Sequence, residues 1–120
     1  MLVPAYNESA SLGDTIESLR KQTVAATEII VIDDCSTDDT SEVARRYGVT
    51  VLRPERNTGS KAGAQNLALK IVDTEFTMAI DADTIIAPDS IERFMAVMKD
   101  ASIAASCGFV IPHYVKSIWE

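Results

Sequence analysis

The segment Phe76-Thr-Met-Ala-Ile-Asp-Ala-Asp-Thr84 ends an apolar run in two carboxylates spaced one residue apart. Residues 77–80 read as a buried strand. Asp81 and Asp83 then stand at its carboxyl end, where side chains two apart point the same way. Open parallel sheets bind ligands at that edge. A hard divalent cation such as Mg²⁺ takes one or two protein carboxylates and completes its shell with water and substrate phosphates. The pair is therefore equipped to present a metal to a phosphate, although two solvated acids in a turn would have the same spelling.

The elements that must hold this pair alternate along the chain. Leu2 and Val3 read as the remnant of a first strand, closed by Pro4-Ala-Tyr-Asn7. Ser9 or Ser11 can cap a helix to about Lys21 that buries Leu12, Ile16 and Leu19. Residues 28–32 form a β-branched strand stopped by Asp33 and Asp34, and a helix from Thr37 or Asp38 runs through Tyr47 to Gly48. A third strand over 49–52 is followed by a polar loop over 53–60 and a helix over 61–72. After the fourth strand, Pro88 suits the first position of a helix to about Lys99, and residues 103–106 suit a fifth strand. The alternation predicts an α/β domain with a mainly parallel sheet covered on both faces. Each polar cluster follows a strand: Tyr6 and Asn7, Asp33 and Asp34, Arg53, and Asp81 and Asp83. All four should line one edge.

At 120 residues the chain has the size of one domain, with an expected radius of gyration of about 13 Å. Hydrophobic residues make up 47% and charged residues 24%, which sets disorder aside. No apolar run reaches the roughly 20 residues of a membrane span, and the first residues lack a signal-peptide pattern, so the expected location is cytoplasmic. Cys35 and Cys107 form no Cys-x-x-Cys pair and read as reduced thiols. The net charge of −7 argues against a nucleic-acid partner, which is bound by neutralising phosphates with Lys and Arg. It equally means that a diphosphate is repelled unless a cation intervenes.

The dinucleotide and P-loop glycine signatures are absent from the sequence. Residues 57–63 instead form a short loop into a helix start, with Lys61 and free backbone N–H groups available to an anion. Tyr6 could stack on a base while Asp33 or Asp34 accepts a hydrogen bond from a base N–H. The plain alternatives are a packed tyrosine and helix-capping acids.

Together, Val3-Pro-Ala-Tyr-Asn-Glu8, Val31-Ile-Asp-Asp-Cys-Ser36, Lys61-Ala-Gly-Ala-Gln-Asn66 and Asp81-Ala-Asp83 resemble, in order and spacing, the family 2 glycosyltransferases. The resemblance covers nearly the whole chain. It implies a Rossmann-like, three-layer GT-A nucleotide-sugar-binding domain over residues 1–120, incomplete at both ends. It also implies inverting transfer of a sugar from a UDP-sugar to an acceptor hydroxyl, assisted by Mn²⁺ or Mg²⁺. By resemblance, Pro4, Ala5, Tyr6 and Glu8 surround the nucleoside, Asp34 or Asp33 contacts uracil, and Lys61 lies near the diphosphate. Asp81 faces the ribose or sugar and Asp83 is the principal metal ligand. The Lys-Ala-Gly-x-x-Asn spelling is similar to that of polysaccharide synthases, which implies a glycan or lipid-linked acceptor and a longer parent at the cytoplasmic face of a membrane.

Two departures stand out. Cys35 occupies a position that is usually glycine in the family, so a differently shaped loop is expected. The carboxylate base of an inverting transfer has no convincing candidate among Asp89, Glu92, Asp100 and Glu120. The wider fold sometimes adds a late histidine to the metal, which would fall to His113, and Ile118-Trp119 reads as an anchor that could mediate self-association. Two other functions fit parts of the pattern. Asp81-Ala-Asp-Thr84 also spells the Asp-x-Asp-x-Thr of haloacid-dehalogenase-type phosphatases, with Asp81 as nucleophile and Asp83 as acid/base. A noncatalytic nucleotide-binding or assembly module needs no base at all.

Overall fold

The computed structural model describes residues 1–109 and 111; His113, Ile118, Trp119 and Glu120 lie outside the described residues. Three parallel strands form the sheet: β1 (Leu2–Ala5), β2 (Ile30–Asp33) and β3 (Thr50–Leu52), in spatial order β1-β2-β3. The helices are α1 (Leu12–Arg20), α2 (Thr40–Arg46), α3 (Lys61–Leu69) and α4 (Ser90–Met98). Among the described residues, no helix is long and apolar enough to cross a membrane.

The register pairs Leu2 with Ile30 and Ile30 with Thr50, so alternate side chains of adjacent strands share a face. Val3, Ala5 and Val31 pack with Leu12, Ile16 and Leu19 of α1 and with Val43 and Ala44 of α2. Leu2, Ile30 and Ile32 pack on the opposite face against Ala64 and Ala68 of α3. Helices thus cover both faces, and this explains why the strands read as apolar runs rather than alternating ones. Val3, Val31, Ile32, Leu12 and Ile16 are completely buried; each such side chain contributes roughly 1.5–3 kcal/mol of transfer free energy.

Beyond β1 the sheet continues by a single parallel bridge, Leu2 to Ala79. Leu2 N–H donates to the Met78 carbonyl at 2.8 Å, and Ile80 N–H donates to the Leu2 carbonyl at 3.0 Å. In a parallel ladder the next donor on this side would be the N–H of Pro4, directed at the Ile80 carbonyl. Proline has none. The expected fourth strand over 77–80 is therefore reduced to one rung, and only Ile80 within it is buried.

Other expectations are corrected as well. The first strand is no two-residue remnant but runs through Pro4 and Ala5, all four residues buried. Residues 103–106 form no strand and are largely exposed. Apart from Ile103, their two alanines and Ser106 offer little apolar surface to hold a strand against the sheet. Pro88 precedes α4 instead of starting it, because its carbonyl is used to accept Thr23 N–H at 2.8 Å and ties α4 to the end of α1. Helix α3 ends at Leu69, not residue 72.

Candidate functional site

The spatial order of sheet positions is β3, β2, β1 and then residue 79. The strand order therefore reverses beside β1, and a crevice opens beyond the carboxyl ends there, which is where open α/β sheets bind ligands. A cleft of about 280 Å³ occupies that place, lined by Pro4, Ala5, Tyr6, Glu8, Asp34, Lys61, Asp81, Ala82 and Asp83. Of the proposed donor and metal residues that the structure describes, all but Asp33 are on this wall. A second, larger cleft of about 850 Å³ lies at the end of β3, between Arg53 and Leu67, so the Arg53 cluster faces a neighbouring depression.

The two acids after β2 separate into different roles. Asp33 is fully buried and turned into the protein. It accepts Ser36 N–H at 2.8 Å, the Ser41 hydroxyl and the Arg53 guanidinium. Burial pushes its carboxyl up, but hydrogen bonds from Ser36 and Ser41 and the charge of Arg53 outweigh this and hold it below the usual range. Its lone pairs are committed, so Asp33 does not join the cleft. Asp34 does. Its Oδ1 accepts Thr58 N–H at 2.7 Å and its Oδ2 accepts the Thr58 hydroxyl at 2.8 Å, while its carbonyl accepts Asn57 Nδ2 at 2.7 Å.

Between these acids and α2, Cys35 has φ +65. The backbone there has the left-handed conformation that glycine adopts freely, and cysteine is strained into it. The loop after β1 is fastened in a similar way. Asn7, at φ +58, accepts Thr37 N–H at 2.8 Å, and its own N–H donates to Ser36 Oγ at 2.9 Å. Glu8 N–H donates to Thr40 Oγ1 at 2.9 Å, and Ser9 N–H donates to Asp38 Oδ2 at 3.0 Å. Hydrogen bonds from Thr40 and Ser9 hold the Asp38 carboxyl well below the usual range. Tyr6, just before these anchors, is about half exposed, at 53%.

Across the cleft, Asp81 pairs with Lys61 at the start of α3. Thr84 N–H donates to the Asp81 carbonyl at 3.1 Å, so the acidic pair sits on a turn and not on an extended strand end. Ala82, between the acids, is buried and its carbonyl accepts the Thr15 hydroxyl of α1 at 2.8 Å. Asp81 and Asp83 are both exposed. Among the described residues, no group of three or more His, Cys, Asp and Glu gathers as a metal cage. Two carboxylates on an open wall nevertheless fit a hard cation that draws its other ligands from phosphate and water.

Thr15, Asn57 and Thr58 carry the site without having stood out in the sequence. Thr15 fits α1 as one more buried position, and Asn57 and Thr58 read only as part of an anion-binding loop, whereas the N–H groups of Thr58, Gly59 and Gly63 are spent on Asp34, Asn57 and Ser60. Gly63 was the available clue. A Cβ there would stand 2.9 Å from Thr58 Oγ1 and 3.0 Å from the Thr58 carbonyl oxygen, so the motif glycine is what lets the loop fold back over α3.

An open parallel sheet with its cleft at the reversal of strand order defines a ligand-binding α/β fold. The family model described as glycosyl transferase family 2 matches residues 1–119, and the chain belongs to that family. It is 33% identical over 106 residues to the poly(ribitol-phosphate) beta-N-acetylglucosaminyltransferase TarS of Staphylococcus aureus, covering 83% of this chain and 18% of that protein. The structure of S. aureus TarS 1-349 in complex with UDP-GlcNAc superposes with a TM-score of 0.76 at 28% identity, covering 93% of this chain and 36% of the other. The mannosyltransferase PcManGT from Pyrobaculum calidifontis, in complex with GDP-Man and Mn²⁺, superposes with a TM-score of 0.79 at 26% identity over 85% of this chain and 32% of the other. The fold is that of the GT-A glycosyltransferases. The chain spans about a fifth to a third of the length of these proteins.

Proposed function

We propose that this chain forms the donor-binding part of an inverting glycosyltransferase that moves a sugar from a UDP-sugar to a glycan or lipid-linked acceptor hydroxyl. The observation that carries the reading is the meeting of Tyr6, Asp34, Lys61, Asp81 and Asp83 in one cleft. The exposed Tyr6 ring stacks on the base, Asp34 accepts a base N–H, and Lys61 leaves Asp81 to neutralise the diphosphate. Asp83, with Asp81, would hold Mn²⁺ or Mg²⁺. Such a cation, when bound, supplies Lewis-acid stabilisation of the charge on the departing diphosphate. The complexes of similar proteins with UDP-GlcNAc and with GDP-Man and Mn²⁺ support a nucleotide-sugar and a divalent ion.

Asp89, Glu92 and Asp100 are engaged with Arg93, Thr23 and Ser102 respectively, so the acceptor base is assigned to none of them. We place it in polypeptide beyond these residues, since the matched proteins are about three or more times longer. The donor site is proposed to face the cytoplasm, with a longer parent at the membrane surface. Family membership does not favour the phosphatase reading of Asp81.

Calorimetric titration with UDP tests the proposal. Binding should require Mn²⁺ and be lost with a chelator or in Asp83→Ala; binding indifferent to both would refute the metal role. Incubation with UDP-sugars separates a competent donor site, which releases free UDP slowly, from a module that only binds.

A further inference from the structure

We propose that Thr58 is a positioning residue for the nucleobase end of the donor, because it locks the plane of the Asp34 carboxylate and leaves that group's remaining lone pairs to the cleft. The inference deepens the donor-binding reading and rests on it. Thr58 grips both oxygens of one carboxylate, its N–H at 2.7 Å from Oδ1 and its hydroxyl at 2.8 Å from Oδ2. That two-point grip removes rotation of the carboxylate about its own bond. A carboxylate has about four acceptor sites, so the remaining ones form a fixed acceptor edge. Asp34 is buried except for its place on the cleft wall, beside Tyr6. An acceptor edge suits a ring N–H and repels a phosphate oxygen, so its fixed orientation acts on the base and not on the diphosphate.

Three further observations support this. Thr58 is not on the donor cleft wall itself but lines the neighbouring depression, so it acts through Asp34. The loop is fastened a second time, by Asn57 Nδ2 to the Asp34 carbonyl at 2.7 Å, while Asn57 Oδ1 accepts Gly59 N–H at 2.7 Å. Finally, Gly63 vacates the volume Thr58 occupies. The helix that carries Lys61 is thus cut away to admit the residue that aims Asp34.

The test compares UDP with inorganic pyrophosphate, each with Mn²⁺, by calorimetry on the wild-type chain, Thr58→Val and Thr58→Ser. Thr58→Val keeps the N–H and the shape but deletes the hydroxyl. UDP affinity should fall about tenfold in Thr58→Val while pyrophosphate affinity stays within about twofold, as expected when one charge-assisted hydrogen bond is lost at the base end only. Thr58→Ser should restore UDP binding. Equal losses for both ligands, or an unchanged UDP affinity in Thr58→Val, overturn the assignment. A wild-type chain that binds pyrophosphate but not UDP overturns the donor reading itself, which a normal wild type with an indifferent Thr58→Val does not.

Discussion

Cys35 and Asp33 show how single positions carry the loop after β2. A non-glycine residue in the left-handed region costs about 1–2 kcal/mol, and glycine costs the unfolded chain's extra freedom, about 0.5–1 kcal/mol. Cys35→Gly should therefore raise stability by roughly 0.5 kcal/mol, and the β-branched Cys35→Val should lower it by about 1–2 kcal/mol, as read by urea denaturation. Asp33 has a depressed carboxyl in the folded state, so its contribution is fully present above the ordinary aspartate value of about 3.9. It is lost as pH falls through the lower folded value. The urea midpoint of the wild type should drop on acidification below that range, and Asp33→Asn should flatten the dependence. Which of Asp33 and Asp34 faces the cleft could not be read from sequence: adjacent side chains at a strand end point to opposite sides, and register alone decides which. The left-handed turn at residue 35 was signalled only by the resemblance, which puts glycine at that position, since cysteine itself gives no sign of positive φ.

Helices α1 and α3 place the site by backbone contacts. The apolar spacing of α1 and the start of α3 at Lys61 were legible because they follow local rules of period and helix entry; the Ser60 hydroxyl that caps α3 by accepting Gly63 N–H at 3.0 Å was not. The fourth strand was not, since its loss follows from a proline on the neighbouring strand, a nonlocal cause. Gly63→Ala would drive a Cβ against the Thr58 carbonyl. It should cost about 1–3 kcal/mol of stability and weaken UDP binding, seen as a lower thermal midpoint and a reduced calorimetric affinity. Thr15→Val would leave the buried Ala82 carbonyl unpaired, at about 1–3 kcal/mol. Its Mn²⁺-dependent UDP affinity should fall as the acidic turn loses its tether to α1.

At the scale of the molecule, the order of motifs along an alternating α/β pattern was enough to place the cleft, because in a parallel sheet all strand ends of one sense share an edge. The exposed apolar side chains Leu69, Ile71 and Phe76 were not singled out in the sequence, where they merge with the helix and strand around them. The crevice between β1 and residue 80 owes its openness to Pro4. Since proline withholds the hydrogen that would stitch residue 4 to Ile80, the two lips of the crevice are joined only at their root. A valine there would let one more rung close and draw the mouth narrower. Room for a ligand at the head of this sheet is kept by an atom the chain does not have, and no bulky wedge is needed to hold it.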